Sequence, residues 1–352
     1  MQAEQLISSH RGAPANPANR FEKLHLEPDE EWNPDEDVLP RTQFLIDHSR
    51  TAIAYNDSPD IGFNASLNPY RGCEHGCIYC YARPTHEYLG FSAGLDFESK
   101  IMVKTNAPEL LRAELSSTKW QSQVIIMSGV TDCYQPVERK LKLTRRCLEV
   151  LAEFRNPVAM ITKNFLVTRD LDVLAQLAAV NAVSVCLSVT TLDNNLRKVM
   201  EPRTSPPSAR LEAVRKLAAA KIPVTVNVAP IIPGLTDHEI PAILQAAAEA
   251  GASSAGFTVV RLPHANAPLF EKWLETHFPD RKEKVLNRIR AMRGGKLYDA
   301  QWGKRMTGEG IFADQIAALF EVAYRRAGFK EDHRELSTAA FRRPAGAQLS
   351  LF

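Results

Sequence analysis

Residues 68–90 read NPYRGCEHGCIYCYARPTHEYLG and crowd three of the six cysteines, Cys73, Cys77 and Cys80, into one short stretch. Their spacing, Cys-x3-Cys-x2-Cys, can turn three thiolates toward one soft metal centre, and Gly72 and Gly76 let the backbone wrap tightly. Cys133, Cys147 and Cys186 are scattered. The N-terminal segment MQAEQLISSHRGAPANPANR lacks the apolar run of a secretory signal, and no stretch approaches the roughly 20 apolar residues of a membrane helix. A cytoplasmic, reducing setting is therefore expected, where crowded cysteines speak for a metal rather than for disulfides. Two metal readings follow. An iron–sulfur cluster on three thiolates would leave one iron open, as a catalytic centre needs; a structural zinc site would be completed by His75 or His86. A thioredoxin-like reading of Cys77-Ile-Tyr-Cys80 leaves the third cysteine without a role.

Outward from this stretch, β-branched apolar runs alternate with helical patterns. The runs are 66–70, 124–130 (VIIMSGV), 158–163 (VAMITK), 183–190 (VSVCLSVT), 224–231 (VTVNVAPI) and 255–262 (AGFTVVRL). Amphipathic segments at 108–116, 141–154, 170–179, 208–220 and 237–250 lie between them, with Asp170 and Ser208 as candidate N-caps. Nearly continuous apolar strands predict a parallel sheet covered on both faces. After the first interval, which hosts the cysteines, strand starts recur at roughly the spacing of βα units. The expected fold is α/β: a partial (β/α)6 TIM-like barrel over residues 61–265, with its active site at the C-terminal strand ends. An acidic extended N-terminal arm (1–60) precedes it, and a helical C-terminal extension with a loose tail (266–352) follows.

The pattern Cys-x3-Cys-x-aromatic-Cys, with Tyr79 at the aromatic position and a six-unit βα array behind it, resembles the radical S-adenosylmethionine superfamily over about residues 64–262. The run Cys77 to Tyr81 and the segment EPRTSP at Glu201–Pro206 resemble its spore photoproduct lyase-like (DNA repair photolyase-like) branch. The resemblance implies a [4Fe-4S] cluster on Cys73, Cys77 and Cys80, whose open iron chelates S-adenosylmethionine. Reduction would cleave the sulfonium to a 5′-deoxyadenosyl radical that abstracts hydrogen from substrate. A low-potential electron donor, flavodoxin- or ferredoxin-like, is implied as well. Nucleic-acid lesion repair is the substrate reading nearest the branch; RNA, a peptide or a metabolite are alternatives. The competing class is a zinc-stabilised nucleic-acid-binding module.

Strand ends supply the remaining candidates. Gly129, Thr131 and Asp132 follow the second strand, where superfamily members hold the methionine amino group with a Gly-Gly-Glu-like segment that this chain lacks. Asp132 reads equally as the cap of a turn. Lys163 ends the third strand and could meet a carboxylate; Ser188, Thr190, Asn227 and Gly234 complete the cofactor candidates on the fourth and fifth. Cys133 lies in the loop where spore photoproduct lyase keeps its hydrogen-donating cysteine, and reads either as that donor or as an inert buried thiol. Tyr79 and Tyr81 either relay a radical or pack on the cluster. Arg261, His264 and Tyr298, at or beyond the sixth strand, are expected to select substrate.

The 352 residues, 45% apolar and 24% charged, exclude a disordered, collagenous or simple coiled-coil chain. The formal charge of +2 is unevenly spread: residues 1–60 hold twelve acidic and five basic side chains, residues 280–305 nine basic and three acidic. The basic stretch Arg281–Arg305 would suit a phosphate backbone, or is a solvated helix face.

Overall fold

The structure, a computed structural model, describes residues 11–22, 41–330 and 335–344. Much of the acidic arm (1–10 and 23–40) and the end of the tail (345–352) lie outside the described residues. The strands are β1 (Gln43–Ile46), β2 (Ile53–Tyr55), β3 (Ala65–Leu67), β4 (Tyr70–Arg71) and β5 (Lys100–Val103). They continue with β6 (Ile125–Met127), β7 (Val158–Thr162), β8 (Val183–Ser188), β9 (Val224–Ile231) and β10 (Ser254–Val259). Seven form one sheet in the order β10-β9-β8-β7-β6-β3-β2. Its six strands from β3 to β10 are parallel and follow chain order, while β2 adds to β3 antiparallel. The end strands β2 and β10 do not pair with each other among the described residues, so no barrel is closed. A small second sheet, β1-β5-β4, flanks the cysteine loop.

The helices carrying the βα units are α1 (Ala107–Ser116), α2 (Leu143–Phe154), α3 (Leu171–Ala178), α4 (Pro207–Ala219) and α5 (Ile240–Glu249). These begin and end within three residues of the expected segments, as their apolar faces dictate. The two N-cap expectations fail. Asp170 precedes α3, but its carboxylate takes Tyr134 Oη and Arg169 rather than a helix amide. Ser208 lies inside α4, which begins at Pro207, a residue suited to the first turn because its missing N–H has no partner there anyway.

The sheet is not apolar on both faces. In β9, Val224, Val226 and Val228 are buried, whereas Thr225, Asn227 and Ala229 between them are only half-buried. The helices cover one face, with α4 on β8 and β9 and α5 on β9 and β10. The other face lines a cavity, through Ile126, Ile161, Ser188, Asn227 and Thr258. The apolar runs thus overstate burial, because a cavity wall can be apolar without being packed.

The arm takes part in both sheets: β1 pairs with β5, and β2 edges the main sheet. C-terminal to β10, α6 (Asn266–His277), α7 (Pro279–Ala291) and α8 (Ile311–Arg326) form the extension, with α8 packed on α5. The α7–α8 loop returns to the sheet, where Val259 N donates to Met306 O at 2.8 Å. The described start of the tail is tied down, since Arg342 N donates to Phe154 O and Arg343 Nη2 to Trp120 O. No helix among the described residues is long and apolar enough to cross a membrane.

Candidate active site

The cysteine loop is held from every side. Arg83, fully buried, donates from Nε and Nη2 to Cys77 O and from Nη1 to Gly94 O. Its charge is matched by Glu98, also fully buried, at 2.5 Å. Glu98 further accepts the backbone amides of Gly12 and Ala13, which clamps the described start of the arm against the loop. The approach requires glycine on both sides. A Cβ on Gly76, at φ +66°, would lie 2.6 Å from Glu98 Oε2, and one on Gly12 would overlap Gly76 O. Gln135 Nε2 donates to Gly72 O, Asn266 Nδ2 to Cys80 O, and Ile78 N to Met200 O. The Gly72, Cys77 and Cys80 carbonyls thus all have side-chain donors.

Cys73, Cys77 and Cys80 are free thiols on one wall of a cavity of about 520 Å³ at the C-terminal ends of the strands. Burial pushes all three thiols up, and for Cys73 the nearby Asp132 and the other two cysteines add to it. Three buried thiolates side by side call for positive charge, which a metal centre supplies. Among the described residues, no three or more His, Cys, Asp or Glu side chains gather tightly enough to hold a single ion. Neither histidine of the zinc reading gathers with the cysteines in this way, and His86 does not line the cavity. His75 has Nδ1 at 3.3 Å from Asp132 Oδ2 and Nε2 at 3.1 Å from Asn164 Nδ2, and His86 Nε2 donates to Lys100 O at 2.9 Å. Cys73, Cys77 and Cys80 could each hold one iron of a cluster placed against that wall.

The same cavity is lined by Tyr79, Tyr81, Gly129, Thr131, Asp132, Lys163, Ser188, Asn227 and Arg261. Asp132 is largely engaged in structure. Its Oδ1 accepts Tyr134 N and Thr162 Oγ1, and its Oδ2 accepts Lys163 N, which joins the β6 and β7 exits. Burial works against this carboxylate, but His75 and the backbone amides outweigh it and hold its pKa at about 2. The turn amide of Tyr134 shows that the capping role is filled, while the carboxylate still faces the cavity. The Lys163 ammonium lies 5.8 Å over the Tyr79 ring; burial disfavours its charge, yet Cys77 and Glu201 raise its pKa overall. Asn227 finds no hydrogen-bond partner for its amide among the described residues although it faces the cavity. At the mouth, Tyr81 Oη donates to Gly129 O at 2.6 Å, with the Arg261 guanidinium 4.4 Å over its ring.

The remaining candidates lie elsewhere. Thr190 sits behind the wall, donating to Glu201 Oε1 at 2.6 Å. Tyr79 also donates its hydroxyl to Glu201, so only its ring reaches the cavity. Cys133 does not line the cavity: it is fully buried in the core, and its backbone is tied by Ser128 Oγ and Thr144 Oγ1. Burial pushes this thiol well up, the state of an inert core cysteine. Gly234 lies in a different cleft, because the chain turns away after β9. His264 is exposed and Tyr298 half-buried, and neither lines the cavity.

Sequence reasoning missed the groups that shape this site from afar. Glu201 and Arg210 form a fully buried ion pair beneath Tyr79. Burial raises the Glu201 pKa, but Arg210 and Lys163 bring it down to about 2. Arg305 and Met306 reach the cavity from the extension, and Phe63 from the arm side. Arg305 is paired at 2.5 Å with Asp60, in the β2–β3 connection. Because the Arg305 loop is bonded to β10, this pair bridges the two ends of the open sheet.

With this geometry in view, the comparisons with known proteins are specific. A family model for the radical SAM superfamily matches residues 67–247. Uncharacterized proteins of Mycobacterium bovis and Mycobacterium tuberculosis are 36% identical over 275 residues, 77% of this chain and 77% of theirs. An uncharacterized protein of Methanocaldococcus jannaschii is 32% identical over 173 residues, 49% of this chain and 62% of its own. Among solved structures, spore photoproduct lyase complexed with dinucleoside spore photoproduct has a similar fold, with TM-score 0.56 and 19% identity over 81% of this chain and 78% of that one. The matched segment contains the cysteine loop, the β6 to β9 strand ends and the Glu201–Arg210 pair: the chain belongs to the radical SAM superfamily of enzymes.

Proposed function

We propose that Cys73, Cys77 and Cys80 hold a [4Fe-4S] cluster and that the adjoining cavity receives S-adenosylmethionine and, beyond it, the reacting part of a nucleic-acid lesion. The observation that carries this is the coincidence of three free thiols with one cavity at the C-terminal strand ends. In this reading the six parallel strands are a partial (β/α)6 barrel, and the electron comes from a flavodoxin- or ferredoxin-like donor. When bound and reduced, the cluster with S-adenosylmethionine supplies a 5′-deoxyadenosyl radical for hydrogen abstraction.

The chain's own residues bind and orient. Lys163 offers a charge-assisted contact to a carboxylate, and Ser188 and Asn227 offer a hydroxyl and an amide to polar groups of the cofactor. Phe63, Ile161 and Val259 give the cavity apolar lining. Arg261 and Tyr81 stand at the mouth, where substrate would enter. With Cys133 buried, Tyr81 is the hydroxyl best placed to face a product radical.

The test is anaerobic reconstitution with iron and sulfide, reduction with dithionite and quantification of 5′-deoxyadenosine by mass spectrometry. Wild type should release 5′-deoxyadenosine and Cys80→Ala should not. Equal release by both would remove the cysteine loop from the mechanism.

A further inference from the structure

The chain leaves β9 through one cavity and enters a second. Ala229 and Pro230 line the cysteine-walled cavity; Pro233 and Gly234 line a cleft of about 590 Å³ whose other walls are α7 and α8. Only Ile231 and Ile232 separate Pro230 from Pro233, so over three residue steps these two linings are at most roughly 11 Å apart. Arg281, Lys284 and Arg288 project into the cleft from α7, spaced at i, i+3 and i+7 on one helix face.

Its charge is unbalanced. Asp237 is the one carboxylate in the lining, and it is taken by Arg288 Nη1 at 3.0 Å. Arg281 and Lys284 have no ion-pair partner among the described residues, although Lys282 on the same helix reaches Glu271. Beside the two free cations lies an apolar floor of Phe312, Ile316 and Leu319, with Arg288 lying 5.3 Å over the Phe312 ring. Gly234, at φ +85°, turns the backbone here and leaves room for the Arg288 stem, which a Cβ would press at 3.3 Å. Two cations beside an aromatic floor match a phosphate attached to a flat ring.

The cleft is also built onto the scaffold of the first cavity. Arg293, buried in the turn just past α7, donates to Lys304 O and Val260 O. It thereby fixes the loop that carries Arg305 to the cysteine-lined cavity. We propose that this cleft is a nucleotide phosphate-binding site, occupied by a unit of a strand whose neighbour reacts next door, or by a free nucleotide. The strand source rests on the nucleic-acid reading above; the free source does not.

The test uses reconstituted full-length protein, a fluorescent single-stranded DNA of about 12 nucleotides and a fluorescent mononucleotide, read by anisotropy over a salt series. Compared are wild type, Arg281→Gln/Lys284→Gln, and Lys282→Gln, a charge on α7 outside the lining. For a strand, the double variant should bind at least tenfold more weakly. Its slope of log affinity against log salt should fall by about 0.7, the share of the one phosphate the two cations hold. Lys282→Gln should match wild type. If the mononucleotide alone binds wild type and the double variant loses it, the cleft takes free nucleotide and the nucleic-acid reading fails while this site stands. Strand binding retained in the double variant would overturn the cleft and leave the nucleic-acid reading intact. Binding of neither probe to wild type overturns the proposal.

Discussion

The cysteine loop and the α7–α8 cleft handle charge in opposite ways. Around the loop, Arg83–Glu98 and Arg210–Glu201 are fully buried and paired, and their spare donors reach backbone carbonyls or threonine hydroxyls. In the cleft, Arg281 and Lys284 are exposed and have no counterion among the described residues. Buried ion pairs cost desolvation and add little net stability, but they fix geometry because breaking one leaves a stranded charge. Exposed unpaired cations do the reverse, contributing nothing to geometry and leaving their charge for a ligand. The first region is a frame that must not move, the second a surface that waits.

That contrast can be broken most severely at Glu98. Glu98→Ala strands Arg83 and the amides of Gly12 and Ala13, and should lower stability by about 3–5 kcal/mol in urea unfolding. The exposed Arg112–Glu153 pair is the reference: Arg112→Ala should cost less than about 1 kcal/mol, and an equal loss at both sites would refute the distinction. Asp60→Asn probes the bridge between the sheet ends and has the smallest expected effect. It should leave the urea midpoint unchanged while speeding amide exchange in residues 56–63 and 301–306. Unaltered exchange would mean that the bridge does not hold the mouth.

The parts of this frame that could be read from sequence are those whose signal is local. Cys73, Cys77 and Cys80 announce themselves by spacing, and β9 by its run of branched residues. Arg83–Glu98 and Arg210–Glu201 could not be read, because charged residues in polar surroundings look solvated until the fold buries them together. β1 and β2 were hidden for a related reason: at three or four residues among Asp, Asn and Ser they carry little periodicity, and only pairing with β5 and β3 makes them strands. Gly234 and Cys133 show that nearness in sequence is not nearness in space, and for Cys133 the core position agrees with the buried-thiol reading of its two. Each lies within a few residues of a cavity-lining position, yet one turns into the neighbouring cleft and the other into the core.

In the proposed reading the braced loop presents Cys73, Cys77 and Cys80 to an iron–sulfur cluster rather than to zinc. Metal and acid-labile sulfide analysis of the anaerobically purified protein separates the two. About four irons and four sulfides per chain are expected, both lost in Cys80→Ala. Stoichiometric zinc without sulfide would contradict that reading.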